Sequence, residues 1–491
     1  MSDVTEAAPT PAIAGVARSL RERATRGTIF TLGGQLAGQL LRMVSNLVLS
    51  RLLFPEAFGL MALVSLVLIA IEQIVNFGTH STVIRHERGD DPKFLDTAWT
   101  IQVGRGLIVW VGVSALAPLL AAFYDEPQLA SLLPVALLSL VLASLGSMKM
   151  ALLYRRLELG RRVAIELIAQ VATIATAIAL AFVFQSVWAL VVGGLVNQAT
   201  RSLLSHTWIP GRRDRFAWDR GAARELLSFG KWVLASSGLS FLAAQLDVAI
   251  LGRLAPLGQL GVYMIGMTVP NMLRELLGQV SGSVLIPALS EANRAGGAGI
   301  PRAYAATRKV TLPTAVVATL ASVVVAPVFF GNLYDSRYAD AAWIAQLGAL
   351  RLWFGYLQVT ACSTLFAYGD ARIWAISSGV ATLVTGIGCV LGFQLAGVAG
   401  LILGLAAGTF AGYVVAVIQL ERLRLASPRP EIGYGLVAAA LAIAVLGAER
   451  YSAELIPELI PGFRTLVCGA VLVGPFALFA AARALHVARG N

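Results

Sequence analysis

Charge is scarce in this chain. Only 13% of its 491 residues are Asp, Glu, Lys or Arg, about half the roughly 25% usual in soluble globular proteins. With 57% of residues hydrophobic, lipid rather than water is the solvent the composition suits. Cysteine is nearly absent. Cys362, Cys389 and Cys468 all fall inside apolar runs, which excludes a disulfide framework and any zinc-ligand spacing. The four histidines, His80, His86, His206 and His486, lie scattered near loops and helix ends. No pair has ligand spacing, so no metal site is expected. Acids are the rarer sign, 27 against 38 bases, for a net charge of +11. A nucleic-acid partner is nevertheless excluded. The bases recur in short loops, with no basic domain, stacking platform or recognition motif. The N-terminal stretch lacks the apolar core of a signal peptide. Residues 1–26 are expected to form a cytoplasmic tail or, over 14–26, a basic amphipathic helix on the membrane surface.

Apolar runs are what the chain has in abundance. A helix crosses a bilayer with roughly 20 apolar residues. Fourteen candidate runs appear, the penultimate one short: about 27–49, 57–78, 98–123, 129–153, 163–184, 186–206, 226–251, 260–284, 304–330, 341–367, 373–394, 397–420, 432–447 and 463–486. Cations concentrate in alternate loops, as expected of cytoplasmic loops. One set carries Arg18, Arg21, Arg23 and Arg26; Arg85, Arg88 and Lys93; Arg155, Arg156, Arg161 and Arg162; and Arg212, Arg213, Arg215, Arg220 and Arg224. Arg294, Arg302, Arg372, Arg422, Arg424, Arg429 and Arg489 continue it. The opposite set holds only Arg51, Arg253, Arg337 and Arg450, and its last member is acidic, with Glu449, Glu454 and Glu458. Both termini are therefore expected in the cytoplasm.

The two halves repeat. "LSRLLFPEAFGLM" (49–61) is similar to "LGRLAPLGQLGVY" (251–263), and Arg51 stands to Gly59 as Arg253 stands to Gly261. "APLLAAFYD" (117–125) matches "APVFFGNLYD" (326–335). Spans 1–6 thus pair with spans 7–12 as parallel repeats, and two such bundles would enclose a central cleft. The expected fold is an all-α integral membrane protein of about 14 transmembrane helices: two pseudo-symmetric six-helix lobes and two extra C-terminal helices. Its parts would be an N-lobe at 27–206, a cytoplasmic linker at 207–225, a C-lobe at 226–420, and spans 13 and 14 with a tail at 421–491. Gly400, Gly404, Gly408 and Gly412 form a smooth face for a neighbouring helix.

Several polar residues interrupt the spans. Gln35, Gln39, Arg42 and Asn46 share one face of span 1, and Ser236, Ser240 and Asp247 one face of span 7. Span 2 has Glu72 and Asn76; span 8 has Asn271, Arg274, Glu275 and Gln279. The repeat aligns Glu72 with Arg274. Arg105 and Arg351 add two deep cations, while Lys231 and Arg201 lie close enough to the cytoplasmic ends to snorkel. Each mid-span charge costs roughly 2.5–3.5 kcal/mol to insert on translocon scales. Two readings follow. In the structural one, Arg42 pairs with Glu72, and Arg274 with Asp247 or Glu275. In the functional one, the cations bind an anionic head group and an acid carries a coupling ion.

The segments "SRLLFPEAFGLMAL", "NFGTHSTVIR", "APLLAAFYDEPQL", "DVAILGRLAPLGQLGVYMIG" and "VLIPALSE", in this order, resemble the bacterial polysaccharide transporter family. These oligosaccharide flippases belong to the superfamily that also holds the multidrug extruders and lipid II flippases. The likeness runs over about residues 25–400. It implies a non-enzymatic inner-membrane carrier that moves undecaprenyl-pyrophosphate-linked glycan to the periplasmic leaflet by alternating access. Polysaccharide polymerase and chain-length proteins would be its partners. Arg42, Asn46, Arg105, Asn271, Arg274 and Arg351 are the candidates for binding substrate. Glu72 and Asp247 are those for proton or sodium coupling, and no other cofactor is implied. Fixed guanidinium groups can replace water around a pyrophosphate, with the lipid tail left in the bilayer through a lateral gap. Spans 13 and 14 are the candidates to line that gap. One rival is an ion-coupled drug or cation antiporter of the same fold, which would favour acids over arginines. Another is a membrane glycosyltransferase or polymerase, for which the external loops, the longest near 448–462, are short. A sugar porter of the major facilitator type would show about 12 spans.

Overall fold

The computed structural model describes residues 11–75, 82–84, 86, 88–155, 158–294, 299–425, 429–455 and 461–489. Asn76 lies outside them, as do the side chains of Lys231, Ser236 and Ser240. Helix is the only regular structure among the described residues, apart from a short 3-10 turn at Ser336–Tyr338. The helices are α1 (Pro11–Leu52), α2 (Pro55–Val75), α3 (Pro92–Tyr124), α4 (Gln128–Ser144), α5 (Lys149–Arg155), α6 (Leu159–Phe184), α7 (Trp188–Thr207) and α8 (Arg220–Leu254). There follow α9 (Leu257–Gly266), α10 (Thr268–Arg294), α11 (Ile300–Leu333), α12 (Ala341–Tyr368), α13 (Ala371–Arg422), α14 (Arg429–Leu455) and α15 (Pro461–Arg489). Within the described residues, 6 helices are long and apolar enough by length and composition to cross a membrane. Their outer faces are oily: Ile108 and Phe182 are each 74% exposed and Leu395 is 86% exposed. Large apolar side chains turned outward on so many helices suit lipid and not water.

Two runs read as single spans are broken. The fourth divides into α4 and α5 around Leu145, and the eighth divides into α9 and α10 at Met267. At the first break the freed carbonyls find side-chain donors, as buried backbone groups must. Gln102 Nε2 donates to Ser144 O at 2.9 Å and Trp99 Nε1 to Leu145 O at 3.3 Å; the His206 ring nitrogen lies 2.8 Å from the same Leu145 oxygen. Conversely, the eleventh and twelfth runs join in one element, α13. It doubles back at Ala396 and Gly397, and Gly397 sits at φ +57, ψ −138, a conformation open to glycine and strained for other residues. The two arms then touch backbone to backbone, with Gly392 against Gly400 and Gly388 against Gly404. The glycine face expected from the sequence is this contact.

The chain divides into two compact units. The first comprises the residues up to Leu52 and Val67–Gly238; the second comprises Leu53–Leu66 and Leu239 onward. In the first, Asp91 caps α3 by accepting from Lys93 N, Pro92 follows at the first helical position, and Asp125 closes the helix at φ 57. The segment after α7 has no helix, yet it is tied down. Asp96, 5% exposed, accepts from Arg212 Nη2 at 2.7 Å and from Arg215 N at 3.0 Å. Ala217 N donates to Thr100 Oγ1 and Asp219 N to Thr97 Oγ1. Alternate backbone amides thus bind α3, while Phe216 and Trp218 stand exposed.

The second unit has its core where α10, α11, α12 and α13 meet, around Leu312, Val316, Leu352, Tyr356, Leu357 and Leu365. In the same unit Gly59 and Gly261 let α2 and α9 cross closely. A Cβ on Gly59 would strike the Leu257 carbonyl, and one on Gly261 would strike that of Pro55.

Candidate functional site

In the first unit α1, α6 and α7 surround a polar cavity of about 430 Å³. From α1 come Gln35, Arg42 and Asn46, from α6 Arg162, Glu166 and Gln170, and from α7 Asn197 and Arg201. Small residues allow the approach: at Gly34 a Cβ would collide with Val163, and at Gly38 the backbone carbonyl accepts from Gln170 Nε2 at 2.7 Å. Asn197 Nδ2 donates to Thr173 Oγ1 at 2.8 Å. Arg162 Nη2 is 2.7 Å from Glu166 Oε1, and Arg201 Nη2 is 4.0 Å from the same oxygen. Among the described side chains Arg42 makes no ion pair, with Glu72 or otherwise. Among the described lining residues three guanidinium groups thus stand with one carboxylate, an excess of two positive charges.

Of the span-1 stripe expected from spacing, Gln35, Arg42 and Asn46 line this cavity and Gln39 does not; the neighbours of the stripe were not legible. Arg162 read as a loop cation and Arg201 as a snorkelling one, yet both reach the same space as Arg42. The available signal was Arg162-x3-Glu166, one face of span 5. Arg105 lies half-buried on α3 and Glu72 exposed on α2, and neither lines this cavity.

The second unit holds a different arrangement. Arg351 Nη1 on α12 lies 2.9 Å from Asp247 Oδ2 on α8, and Tyr263 OH on α9 donates to that oxygen at 2.6 Å. The Arg351 and Asp247 side chains are 9% and 8% exposed. The other carboxylate oxygen, Oδ1, is buried with no partner among the described residues. Arg351 is thus answered by Asp247, the acid that spacing alone had offered to Arg274. Arg274 and Glu275 are exposed on α10, with Asn271 half-buried one turn before.

A second buried pair escaped the sequence reading. Arg308 Nη2 on α11 meets Glu431 Oε1 on α14 at 2.9 Å, with side chains 5% and 3% exposed. Tyr304 OH accepts from Arg308 and donates to Glu431, and Tyr413 OH donates to the second Glu431 oxygen. Both charges sit at the edges of apolar runs, where they read as flanking residues. Tyr304 and Arg308, four apart at the start of the ninth run, were the only hint. Glu431 and Tyr413 also border an apolar groove of about 950 Å³, walled by Leu350, Trp353 and Phe354 of α12, Phe410 of α13 and Leu436, Ala439 and Leu446 of α14. Span 13 borders this groove, and no described residue of span 14 does.

Comparison with known proteins agrees with this architecture. The family described as "Polysaccharide biosynthesis protein" matches residues 48–339. The lipopolysaccharide biosynthesis protein WzxC of Escherichia coli strain K12 is 28% identical over 277 residues, 56% of each chain. The succinoglycan biosynthesis transport protein ExoT of Rhizobium meliloti strain 1021 is 26% identical over 365 residues, 70% of this chain and 69% of that one. The teichuronic acid biosynthesis protein TuaB of Bacillus subtilis strain 168 is 21% identical over 205 residues, 40% of this chain and 41% of that one. The chain spans about half the length of WzxC and of TuaB. In fold it is similar to the lipid II flippase MurJ in an inward closed conformation, with a TM-score of 0.69 at 12% identity, covering 91% of this chain and 99% of that one. An inward-facing multidrug resistance MATE transporter matches with a TM-score of 0.60 at 16% identity, over 79% and 94%.

Proposed function

We propose, for a chain that belongs to the polysaccharide biosynthesis protein family, that it carries lipid-pyrophosphate-linked oligosaccharide across the bacterial inner membrane for polysaccharide assembly. It does so by alternating access, through 14 spans with both termini in the cytoplasm. The observation that carries this reading is the first-unit cavity, whose described lining holds Arg42, Arg162 and Arg201 and one acid, Glu166. A pyrophosphate has no stable place in hydrocarbon. Guanidinium groups held in a cavity replace its hydration with planar, charge-assisted hydrogen bonds. By the loop-charge topology, Arg162 and Arg201 lie toward the cytoplasmic ends of their helices, the side from which such a substrate is supplied. Arg42, deeper in span 1, is the next cation along the path. A cavity with surplus positive charge repels the cationic cargo of a drug antiporter.

Coupling is assigned to Asp247. Its Oδ2 is held by Arg351 and Tyr263, and its buried Oδ1 is unsatisfied among the described residues. That atom can take a proton or a sodium ion. Arg351 then acts as the residue that holds this carboxylate, and Arg274, Asn271, Arg105 and Glu72 remain candidates on the route. Polymerase and chain-length proteins would take over the delivered glycan.

The test is transport of fluorescent lipid-linked oligosaccharide in proteoliposomes. Arg42→Ala with Arg162→Ala should slow flipping by about tenfold or more, as expected when a charge-assisted contact worth roughly 1.5–3 kcal/mol is lost. Wild-type flipping by the double variant, or efflux of a cationic dye insensitive to it, would overturn the reading.

A further inference from the structure

A second polar cavity lies in the second unit, about 650 Å³ in volume, where the turns at 53–56, 256–259, 335–343 and 396–399 come together. By the loop-charge topology these are external turns. The transport reading gives this cavity no task.

Its chemistry is specific. Phe54 is 57% exposed, and one face of its ring carries the Arg337 guanidinium at 4.8 Å from the centroid. Arg337 is held there by Asp335, Nε to Oδ1 at 2.9 Å. Trp343 is fixed by its indole N–H, which donates to Asp340 Oδ1 at 3.0 Å. Glu56 and Gln259 stand exposed on the wall, and at Gly258 a Cβ would lie 2.9 Å from Glu56 Oε1. Two oriented aromatics among acids and an amide suit a ligand with apolar C–H faces and many hydroxyls. Sugar rings have that character. A rigid aromatic supports the C–H face, and carboxylate and amide oxygens accept from the hydroxyls.

Trp343 belongs to two spaces. It lines this polar cavity and also the end of the apolar groove of about 950 Å³. The groove follows α14 from Glu431 to Leu446. At the helical rise this is about 22 Å, most of the roughly 30 Å thickness of a bilayer's hydrocarbon core. A polar pocket and a long apolar groove that share one tryptophan in their walls suit an amphiphile with a sugar head and a hydrocarbon tail.

We propose that this external cavity is a second glycan subsite. It holds the sugar of a lipid-linked oligosaccharide against Phe54 and Trp343, with Glu56, Gln259 and Asp340 on its hydroxyls, while the adjoining groove takes the isoprenoid chain. The assignment rests on the flippase reading for its orientation and for the lipid attached to the glycan. The subsite receives the glycan after translocation, so it sets which repeat units are released efficiently.

The probe is the water-soluble oligosaccharide freed by mild acid from the host's own lipid-linked pool. Binding is read by saturation-transfer NMR on the full-length protein in nanodiscs, where both faces are accessible. Wild type should show transfer to sugar protons. Trp343→Ala should weaken binding about tenfold, the loss of one stacking contact of roughly 1.4 kcal/mol. Gln259→Leu, at an exposed turn, should weaken it several-fold with an unchanged melting curve, which covers the case of a poorly folded Trp343 variant. No transfer to wild type, or unaltered affinity in Gln259→Leu together with a folded Trp343→Ala, overturns the subsite. Flipping by wild type is measured separately in proteoliposomes. Flipping without oligosaccharide binding sinks the subsite alone; failure of wild-type flipping sinks the carrier reading.

Discussion

Gly59 and Gly261, equivalent positions in the two repeated halves, each lie against the carbonyl that begins the other's helix: Gly59 on Leu257 and Gly261 on Pro55. Each of those carbonyls belongs to the residue four before the partner glycine. The internal repeat therefore produces a symmetric crossing of α2 and α9, closed by two absent side chains.

Alanine at either position should be costly, because the obstructing atom is backbone oxygen, which cannot swing aside. Gly59→Ala and Gly261→Ala should each destabilise by about 1–3 kcal/mol, the range for overpacking. Thermal unfolding monitored by fluorescence size-exclusion would show it. Gly447→Ala is the control. Nothing lies within 4 Å of its would-be Cβ, so removing a helical glycine there should be neutral or stabilise by up to about 1 kcal/mol.

Arg351 and Asp247 should behave as one unit. Removing either leaves a buried charge, at a cost of about 3–5 kcal/mol. Arg351→Met and Asp247→Asn should each lower the midpoint of thermal unfolding strongly, and the double variant should be more stable than the sum of the singles implies. Additive losses in that double-mutant cycle would show that the 2.9 Å contact contributes nothing to the fold.

The cap of α3 should be sensitive to acid. The Arg88 side chain beside it, then the Lys93 amide, hold the Asp91 carboxyl below its ordinary value of 3.8. A depressed carboxyl contributes stability above its unfolded-state pKa and loses it as pH falls through the folded-state one. Asp91→Ala should therefore cost about 1 kcal/mol near neutral pH. That difference from wild type should shrink once the pH drops below the ordinary value, and thermal shifts at paired pH values would measure it. A gap that persists unchanged into acid would contradict the cap.

Asp96 should protect the linker from proteolysis. Arg212, Arg213 and Arg215 are trypsin sites in a segment without helix. In wild type the hydrogen bonds to Asp96 hold this segment against α3. Asp96→Ala should speed tryptic cleavage there about tenfold, as removal of roughly 1.4 kcal/mol from the opening equilibrium requires. Mass spectrometry of timed digests would locate the cut.

Much of the helical content was legible because span-length apolar runs are a strong signal, and the repeat was legible because Arg51/Gly59 and Arg253/Gly261 keep their interval. The break around Leu145 was not, since the donors that satisfy its carbonyls, Gln102, Trp99 and His206, come from distant stretches. The candidate site shows the same division. Spacing put Gln35, Gln39, Arg42 and Asn46 on one helix face, and all of these but Gln39 line the cavity. Spacing cannot tell which helix stands opposite. It therefore missed Arg162 and Arg201 across from Arg42, and it offered Arg274 either Asp247 or Glu275 where Arg351, 104 residues away, holds Asp247.

The strapped segment 208–219 has a consequence for building chimeras. It lies between the repeated halves, where a swap between relatives would ordinarily be cut. Yet its alternate amides are spoken for by Asp96, Thr97 and Thr100, and Ala222, Ala223 and Leu226 just beyond it share a core with Phe94 and Ala98. A graft joined in this loop would carry donors in from one parent and acceptors from the other. The compatible joint lies further on, inside α8 near Gly238, where the chain passes from one compact unit to the next.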